Sequence, residues 1–60
     1  MISKPNEPAM IHFIDGKTIK FTSVRSAYDE HLRMAFVWAS YAGGKETISI
    51  PLSSIKFIAQ

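Results

Sequence analysis

The stretch that decides the fold runs from residue 32 to residue 50 and reads LRMAFVWASYAGGKETISI. Large apolar side chains occupy alternate positions in its first half, as one face of a pleated strand requires. They are Leu32, Met34, Phe36 and Trp38. Ile48 and Ile50 repeat the alternation after the Gly43-Gly44 pair. The stretch predicts two antiparallel strands joined by a glycine turn, with the core of the protein centred on them.

The length of that turn determines which side chains of the two strands face each other. A two-residue turn would place Trp38 opposite Ser49, and the aromatic residues would then lack large apolar partners. A three-residue loop would place Trp38 opposite Ile48 instead. The last residue of such a loop adopts the left-handed backbone conformation, with positive φ, and Gly44 suits that position. The pattern therefore favours the three-residue loop, with Trp38 in the core.

Residues 9–22 predict a second hairpin, with Asp15-Gly16 as its turn signal. A three-residue loop ending at Gly16 collects the large apolar side chains on one face. That face holds Ala9, Ile11, Phe13, Ile19 and Phe21. The opposite face holds Met10, His12, Thr18, Lys20 and Thr22. Both hairpins thus obtain an apolar face from the same type of loop.

The segment between the hairpins is open to two interpretations. Ser26 and Asp29 resemble a helix capping box, and apolar residues recur at helical spacing beyond them. A helix near residues 27–41 would give an α+β fold of order ββαββ. Against it, the run Phe36-Val37-Trp38 is aromatic and β-branched, which favours a strand. The strand is the preferred interpretation, and the helix remains the alternative.

The end of the chain predicts a helical turn followed by a last strand. Pro51 cannot donate a ladder hydrogen bond, so the strand ends there. A single helical turn over residues 51–54 would let Leu52 and Ile55 cover the core. The predicted strand Ile55–Ala59 has Ile55 and Phe57 on one face and Lys56 and Ile58 on the other.

The resulting order is all-β: two hairpins, a one-turn helix and a fifth strand. This order resembles that of the small SH3-like and Sm-like barrels. Sm-like proteins also have a turn made of an acidic residue and a glycine after their first strands, and Asp15-Gly16 is such a pair in this chain. They place a glycine in the next strand, whereas this chain has Ile19-Lys20-Phe21-Thr22. The resemblance implies a five-stranded barrel architecture and identifies no specific family.

Length and composition predict one small domain without a cofactor. The chain has 60 residues and no cysteine, so no disulfide or thiolate metal site is expected. His12 and His31 lie far apart and lack metal-ligand spacing. Residues 1–8 contain two prolines with polar neighbours, which predicts a flexible lead-in before a single domain over residues 9–60.

Charge and hydropathy give only broad expectations about partners and location. The net charge of +2 and the pI of about 9.2 come from scattered lysines and arginines, not from a basic tail. No apolar run has the length of a membrane span or a signal-peptide core. We therefore expect a cytoplasmic protein with no membrane partner and no evident small-molecule substrate.

Catalytic chemistry is not expected from this sequence. The five acidic residues are scattered through the predicted tail, turns and loops: Glu7, Asp15, Asp29, Glu30 and Glu46. In the run Asp29-Glu30-His31, adjacent side chains would point to opposite sides of an extended chain. No serine has the context of a nucleophile elbow, and Gly43-Gly44 is too short for a phosphate loop. The sequence predicts that the protein is not an enzyme.

Protein–protein contact is the preferred functional interpretation. Several apolar residues face outward in the predicted registers, and a contiguous patch of them would favour self-association or a protein partner. The candidate interface residues are Val37, Tyr41, Ile58, Met10 and Ile14. The sequence thus predicts a non-catalytic regulatory, accessory or inhibitory module that forms a homo-oligomer or binds another protein.

Nucleic-acid binding is the alternative. A basic strip on a small barrel, with aromatic residues near by, would suit RNA or DNA. The candidate residues are Lys17, Lys20, Arg25, Tyr28 and Lys56. No RRM, KH or helix-turn-helix signature accompanies them. Salt dependence of binding would separate the two functions, because phosphate contacts weaken steeply with salt.

Overall fold

The computed structural model describes residues 2–41 and 46–60, which contain one antiparallel sheet of five strands. The strands are β1 Glu7–Phe13, β2 Thr18–Asp29, β3 Met34–Ser40, β4 Thr47–Pro51 and β5 Ile55–Ala59. Their order across the sheet is β4-β3-β2-β1-β5. A single turn of 3-10 helix, Leu52–Ser54, joins β4 to β5. The all-β prediction is confirmed, and the alternative with a helix near residues 27–41 is wrong.

The β1–β2 hairpin has the predicted register. Ala9 pairs with Phe21, and Ile11 pairs with Ile19. Ala9, Ile11 and Phe21 are buried, because alternate positions on both strands point to the same side of the sheet. The apolar pattern on one face was therefore sufficient to set this pairing.

The turn of this hairpin also has the predicted geometry. Gly16 has a φ of +94°, and its amide donates to the Phe13 carbonyl at 3.1 Å. The Asp15 side chain accepts a 3.0 Å hydrogen bond from the Lys17 amide. These hydrogen bonds within the loop stabilise the turn. Gly16 can adopt the positive φ that the turn requires because glycine has no Cβ.

Strand β2 contains an extra residue that bends the sheet. Glu7 pairs with Val24, whereas Ala9, two residues later, pairs with Phe21. Phe21 and Val24 are both fully buried, although residues three apart on a regular strand face opposite sides. A β-bulge between them explains both observations and turns the second half of β2 towards β3.

A tight turn over residues 30–33 connects β2 to β3. Asp29 Oδ1 accepts hydrogen bonds from the His31 amide at 2.9 Å and the Leu32 amide at 3.1 Å. Arg33 completes the turn with a φ of +51°. The residue interpreted as part of a helix cap is therefore the anchor of a hairpin turn.

The β3–β4 pairing differs from the prediction by one residue. Trp38 lies opposite Ser49, and Val37 lies opposite Ile50. Val37 is 1% exposed and Ala39 is fully buried, so the smaller side chains of β3 face the core. The prediction of Trp38 opposite Ile48 in the core is wrong. The predicted loop ending at Gly44 lies outside the described residues.

The core is made mostly of small and branched side chains. Its members are Ala9, Ile11, Phe21, Val24, Val37, Ala39, Ile50 and Ile55. Phe21 is the largest fully buried side chain. The interior of a small curved sheet is narrow, so the Phe21 ring leaves room only for small or β-branched side chains around it.

The connection between β4 and β5 requires a strongly curved sheet. These strands form opposite edges, which in a flat sheet would lie about 19 Å apart at four spacings of roughly 4.8 Å. Only the three residues of the 3-10 turn join them. Leu52 packs against the core and Ile55 is buried, as predicted.

Strand β5 presents different faces from those predicted. The register with β1 shifts between His12 and Phe13, which leaves Lys56 as an extra residue in β5. Ile58 consequently packs against the core, while Phe57 is 47% exposed. The prediction of Ile55 and Phe57 on one face is wrong because this bulge interrupts the alternation.

The N-terminal segment contacts the end of the chain. Ile2 packs against the core, and the Gln60 side chain forms hydrogen bonds with Ser3 and Lys4. Strand β1 begins at Glu7, two residues before the predicted hairpin. The flexibility of residues 1–8 stays a prediction.

Candidate interaction surfaces

One outer surface of the sheet, here called the aromatic face, is formed by β2, β3 and β4. Directly paired residues lie on the same side of an antiparallel sheet, and this side is opposite the buried Val37. The aromatic face comprises Arg25, Ala27, Asp29, Met34, Phe36, Trp38, Ser49 and Pro51, and it continues beyond the Arg25–Trp38 pair with Ser23, Ser40 and Thr47. The register shift in β3 thus moves the aromatic residues from the predicted core to an outer surface.

The centre of the aromatic face is apolar. The rings of Phe36 and Trp38 meet edge to face, with centroids 5.4 Å apart. Met34 is 38% exposed, and Leu32, in the turn beside it, is 68% exposed. A shallow groove of about 200 Å³ runs along Leu32, Met34, Phe36 and Pro51. The groove offers an apolar contact surface with aromatic walls.

The charged groups of the aromatic face lie on either side of the Ala27–Phe36 pair. Arg25 pairs with Trp38 on one side, and Asp29 pairs with Met34 on the other. Ala27 and Phe36 form the pair between them. A cation and an anion therefore flank an apolar centre along the strand direction.

A second outer surface, here called the histidine face, is formed by β1, β5 and the first half of β2. It comprises Met10, His12, Thr18, Lys20, Phe57 and Ala59. The rings of His12 and Phe57 stack with centroids 4.0 Å apart and an interplanar angle of 16°. His12 Nδ1 also lies 3.1 Å from Thr18 Oγ1. This surface combines an exposed ring with a lysine.

The predicted interface residues do not form one outward patch. The expectation that Val37 faces outward is wrong, because it is core, and Ile58 packs against the same core. Met10 is 38% exposed on the histidine face, and Ile14 is 67% exposed in the β1–β2 turn. Tyr41 is 39% exposed, and the centroid of its ring lies 5.1 Å from the centroid of the Phe21 ring. Participation of these residues in an interface stays a prediction.

The predicted nucleic-acid-binding residues are divided between surfaces. Lys20 belongs to the histidine face, while Lys17 lies in the β1–β2 turn and Lys56 in the β5 bulge. Arg25 belongs to the aromatic face, and Tyr28 is on the other side of β2, opposite Ala35. The five residues therefore do not form a single basic strip.

The sequence interpretation missed Met34, Phe36 and Trp38 as surface residues because their size suggested a core. A signal was present in β4, where Ile48 and Ile50 alternate with polar residues. When Trp38 is paired with Ser49, Ile50 lies opposite Val37, and the alanines of β3 are on the core side of the strand. If small and β-branched residues had been considered as core residues alongside the large ones, this pairing would have remained an alternative.

Two aspartates at the turns, Asp15 and Asp29, accept hydrogen bonds from backbone amides. Asp15 accepts from the Lys17 amide, and Asp29 accepts from the His31 and Leu32 amides. Within residues 2–41 and 46–60, no three His, Cys, Asp or Glu side chains cluster in a way that could hold a metal ion. The absence of catalytic activity stays a prediction.

Comparison with known proteins adds no functional assignment. No helix in the described part of the chain is long and apolar enough to cross a membrane. No protein-family model, no curated protein and no solved structure matches this chain.

Proposed function

We propose that this protein is a non-catalytic interaction module that acts by protein–protein contact through its aromatic face. The observation that carries the proposal is the exposure of Leu32 and Met34 beside the half-buried rings of Phe36 and Trp38. Contiguous apolar surface of this kind is unfavourable in water and typically marks a binding site. Burying it against another polypeptide would remove that cost.

The composition of the aromatic face supports the same function. Aromatic residues, methionine and arginine are enriched in protein interfaces, and aromatic anchors at the centre of a patch contribute most of the binding energy. Phe36 and Trp38 occupy the centre, while Arg25, Asp29 and Ser49 are at the margin. This apolar centre with a polar rim is typical of a specific contact surface.

The scaffold we propose for this module is a small SH3-like or Sm-like barrel. The strand order, the long bent β2 and the 3-10 turn before β5 support it. Closure of the barrel would hold the aromatic face rigid, which lowers the entropy lost on binding. A cytoplasmic location is part of the proposal, since the cysteine-free chain has no disulfide that would need an oxidising compartment.

Two methionines allow a matched test of the contact surface. Met34 on the aromatic face and Met10 on the histidine face are both 38% exposed. A photoreactive methionine analogue incorporated in cells that produce the protein would cross-link to whatever polypeptide lies against each position. Mass spectrometry of the cross-linked peptides then identifies which methionine reacted.

We expect polypeptide adducts at Met34 and few or none at Met10. The variant Met34→Leu, which keeps the apolar surface but removes the reactive group, should lose those adducts. Equal labelling of both positions, or labelling of Met10 alone, would overturn the proposal. An absence of polypeptide adducts at Met34 at any protein level would overturn it as well.

Nucleic-acid binding by the histidine face is a second candidate function. The favouring observation is that Phe57 is 47% exposed in a surface that also contains Lys20. An exposed ring can stack on a base while a lysine contacts phosphate. Anisotropy titrations of a labelled single-stranded oligonucleotide should then show affinity that falls with salt and with Lys20→Gln. Undetectable binding at low salt would remove this candidate.

A further inference from the structure

We infer that the partner of the aromatic face is a second copy of this chain, packed sheet against sheet about a twofold axis. The axis lies in the interface and crosses the strands through the row formed by Ala27, Phe36 and Pro51. The inference rests on the proposed function, because it names the partner of that same surface.

Four rows of paired residues cross the aromatic face, and three of them define the geometry of the contact; the fourth contains Ser23, Ser40 and Thr47. The central row contains Ala27 and Phe36. The row on one side pairs Arg25 with Trp38, and the row on the other pairs Asp29 with Met34. Neighbouring rows are two residues apart along each strand, about 6.6 Å at 3.3 Å per residue. The two charged rows are therefore equidistant from the central one.

A twofold rotation about the central row exchanges the Arg25 row with the Asp29 row. Arg25 of one copy then lies over the partner's Asp29, and the second copy repeats the pairing in the opposite sense. Trp38 lies over the partner's Met34. Phe36 lies over the partner's Phe36, next to the axis. A twofold interface must be self-complementary, and this surface has that property.

Each of these contacts is chemically favourable. An arginine can bind a carboxylate through two parallel hydrogen bonds, and a methionine sulfur interacts well with an aromatic ring. The two turn amides that bond to Asp29 both use Oδ1, so Oδ2 can accept from a guanidinium. Two phenylalanine rings can pack in an offset or edge-to-face arrangement. Among the residues of these three rows, no like charges meet in this alignment.

The histidine face lacks this self-complementarity. Lys20 is the charged residue of that face, and its six members include no carboxylate. A twofold contact there would bring two lysines towards each other or leave both without an anionic partner. The charge pattern thus favours the aromatic face as the contact between copies.

The size of the surface sets the expected affinity. Three strands at about 4.8 Å spacing and seven residues at about 3.3 Å each give a projected area on the order of 300 Å². The two copies together would contribute roughly 600 Å², below the total of about 1,200–2,000 Å² that a standard interface buries, so this contact belongs to the weak and transient class. We expect a dimer that dissociates in the micromolar range or above, which makes association dependent on concentration.

Charge reversal combined with mixing tests the geometry. We would measure association of the full chain by sedimentation velocity over a dilution series from micromolar to millimolar. Arg25→Asp and Asp29→Arg should each weaken self-association at least tenfold, because like charges then face each other twice. An equimolar mixture of the two variants should restore the dimer, since both carboxylates of one chain face both guanidinium groups of the other.

Matched variants separate this outcome from general charge or folding effects. Lys20→Asp makes the same charge change on the histidine face and should leave association unaltered. Asp29→Asn retains an oxygen for the turn amides and should weaken association less than Asp29→Arg. Circular dichroism would verify that each variant is folded. If Asp29→Arg does not fold, unchanged association of Arg25→Asp by itself overturns the inference.

Failure of this inference is distinguishable from failure of the proposed function. A parent chain that stays monomeric at millimolar concentration, or a mixture without recovery, overturns the twofold dimer. If Met34 then still cross-links to a different polypeptide, the aromatic face is a contact surface for another protein. If Met34 cross-links to nothing, the proposed function fails as well.

Discussion

The β1–β2 and β3–β4 hairpins were interpreted by the same reasoning, yet only the first has the predicted register. In β1–β2, Ile11 pairs with Ile19 as expected. In β3–β4, Trp38 pairs with Ser49, one residue away from the expected partner. The two hairpins differ in how their apolar residues are distributed between faces.

The β1–β2 hairpin has one apolar and one largely polar face, so only one register buries the apolar side chains. Strand β3 is apolar on both faces: Phe36 and Trp38 alternate with Val37 and Ala39. Alternation alone therefore fits either orientation of β3. The narrow interior, already occupied by the Phe21 ring, accommodates the smaller set. Side-chain volume, not hydrophobicity, determines which face of β3 is buried.

The largest test of this comparison replaces one phenylalanine in each hairpin. Phe21 is fully buried, so Phe21→Ala should destabilise the fold by about 3–5 kcal/mol, enough to unfold much of a marginal domain. Phe36 is half-buried on the outer surface, so Phe36→Ala should cost about 1–2 kcal/mol, because its ring loses only part of its apolar contact. Urea denaturation followed by circular dichroism measures both changes.

Equal costs for the two substitutions would contradict the inverted register of β3. A larger cost for Phe36→Ala than for Phe21→Ala would return the aromatic residues to the core. Because Phe36 is in the proposed contact surface, the measurements should be made at low micromolar concentration. Dimer dissociation then does not add to the apparent stability.

Much of the fold could be predicted because several of its signals are local. Gly16 in its turn, Pro51 at the end of β4 and the 3-10 turn after it are set by backbone geometry within a few residues. The bulges in β2 and β5 could not be predicted, since each depends on how two strands fit a curved sheet. The bulge at Lys56 shows the consequence: it moved Phe57 outward.

The candidate site was harder to predict than the fold because its residues can be identified only after the core residues have been assigned correctly. Assigning Trp38 to the core removed it from the list of surface residues and placed Val37 there instead. A one-residue slip exchanges the two faces completely, so a single register error reversed the site. The charge arrangement of Arg25 and Asp29 becomes visible only after β2 and β3 are paired.

An intermediate test concerns the turn of the hairpin that was predicted in full. Gly16 has a φ of +94°, and a Cβ built there has no heavy atom within 4 Å. Gly16→Ala should therefore cost about 1–2 kcal/mol through backbone strain, with no contribution from a steric clash. Gly16→Asn should cost less, because asparagine tolerates positive φ better. Thermal or urea unfolding of the two variants provides the comparison, and equal stability of Gly16→Ala and the parent would refute this turn geometry.

The smallest test addresses a side-chain hydrogen bond between β2 and the end of β3, next to the ladder that pairs the two strands. Thr22 Oγ1 in β2 donates to the Ser40 carbonyl at 3.1 Å and the Tyr41 carbonyl at 3.0 Å, sharing one hydroxyl proton between them. Thr22→Val keeps the shape but removes the donor, and water can reach these exposed carbonyls. We therefore expect a loss of about 0.5 kcal/mol in the free energy of unfolding. Thr22→Ser keeps the hydroxyl and should preserve the bond, apart from a small change in strand propensity. If Thr22→Val is as stable as the parent while Thr22→Ser is destabilised, the methyl group and not the hydrogen bond stabilises this contact between β2 and the end of β3.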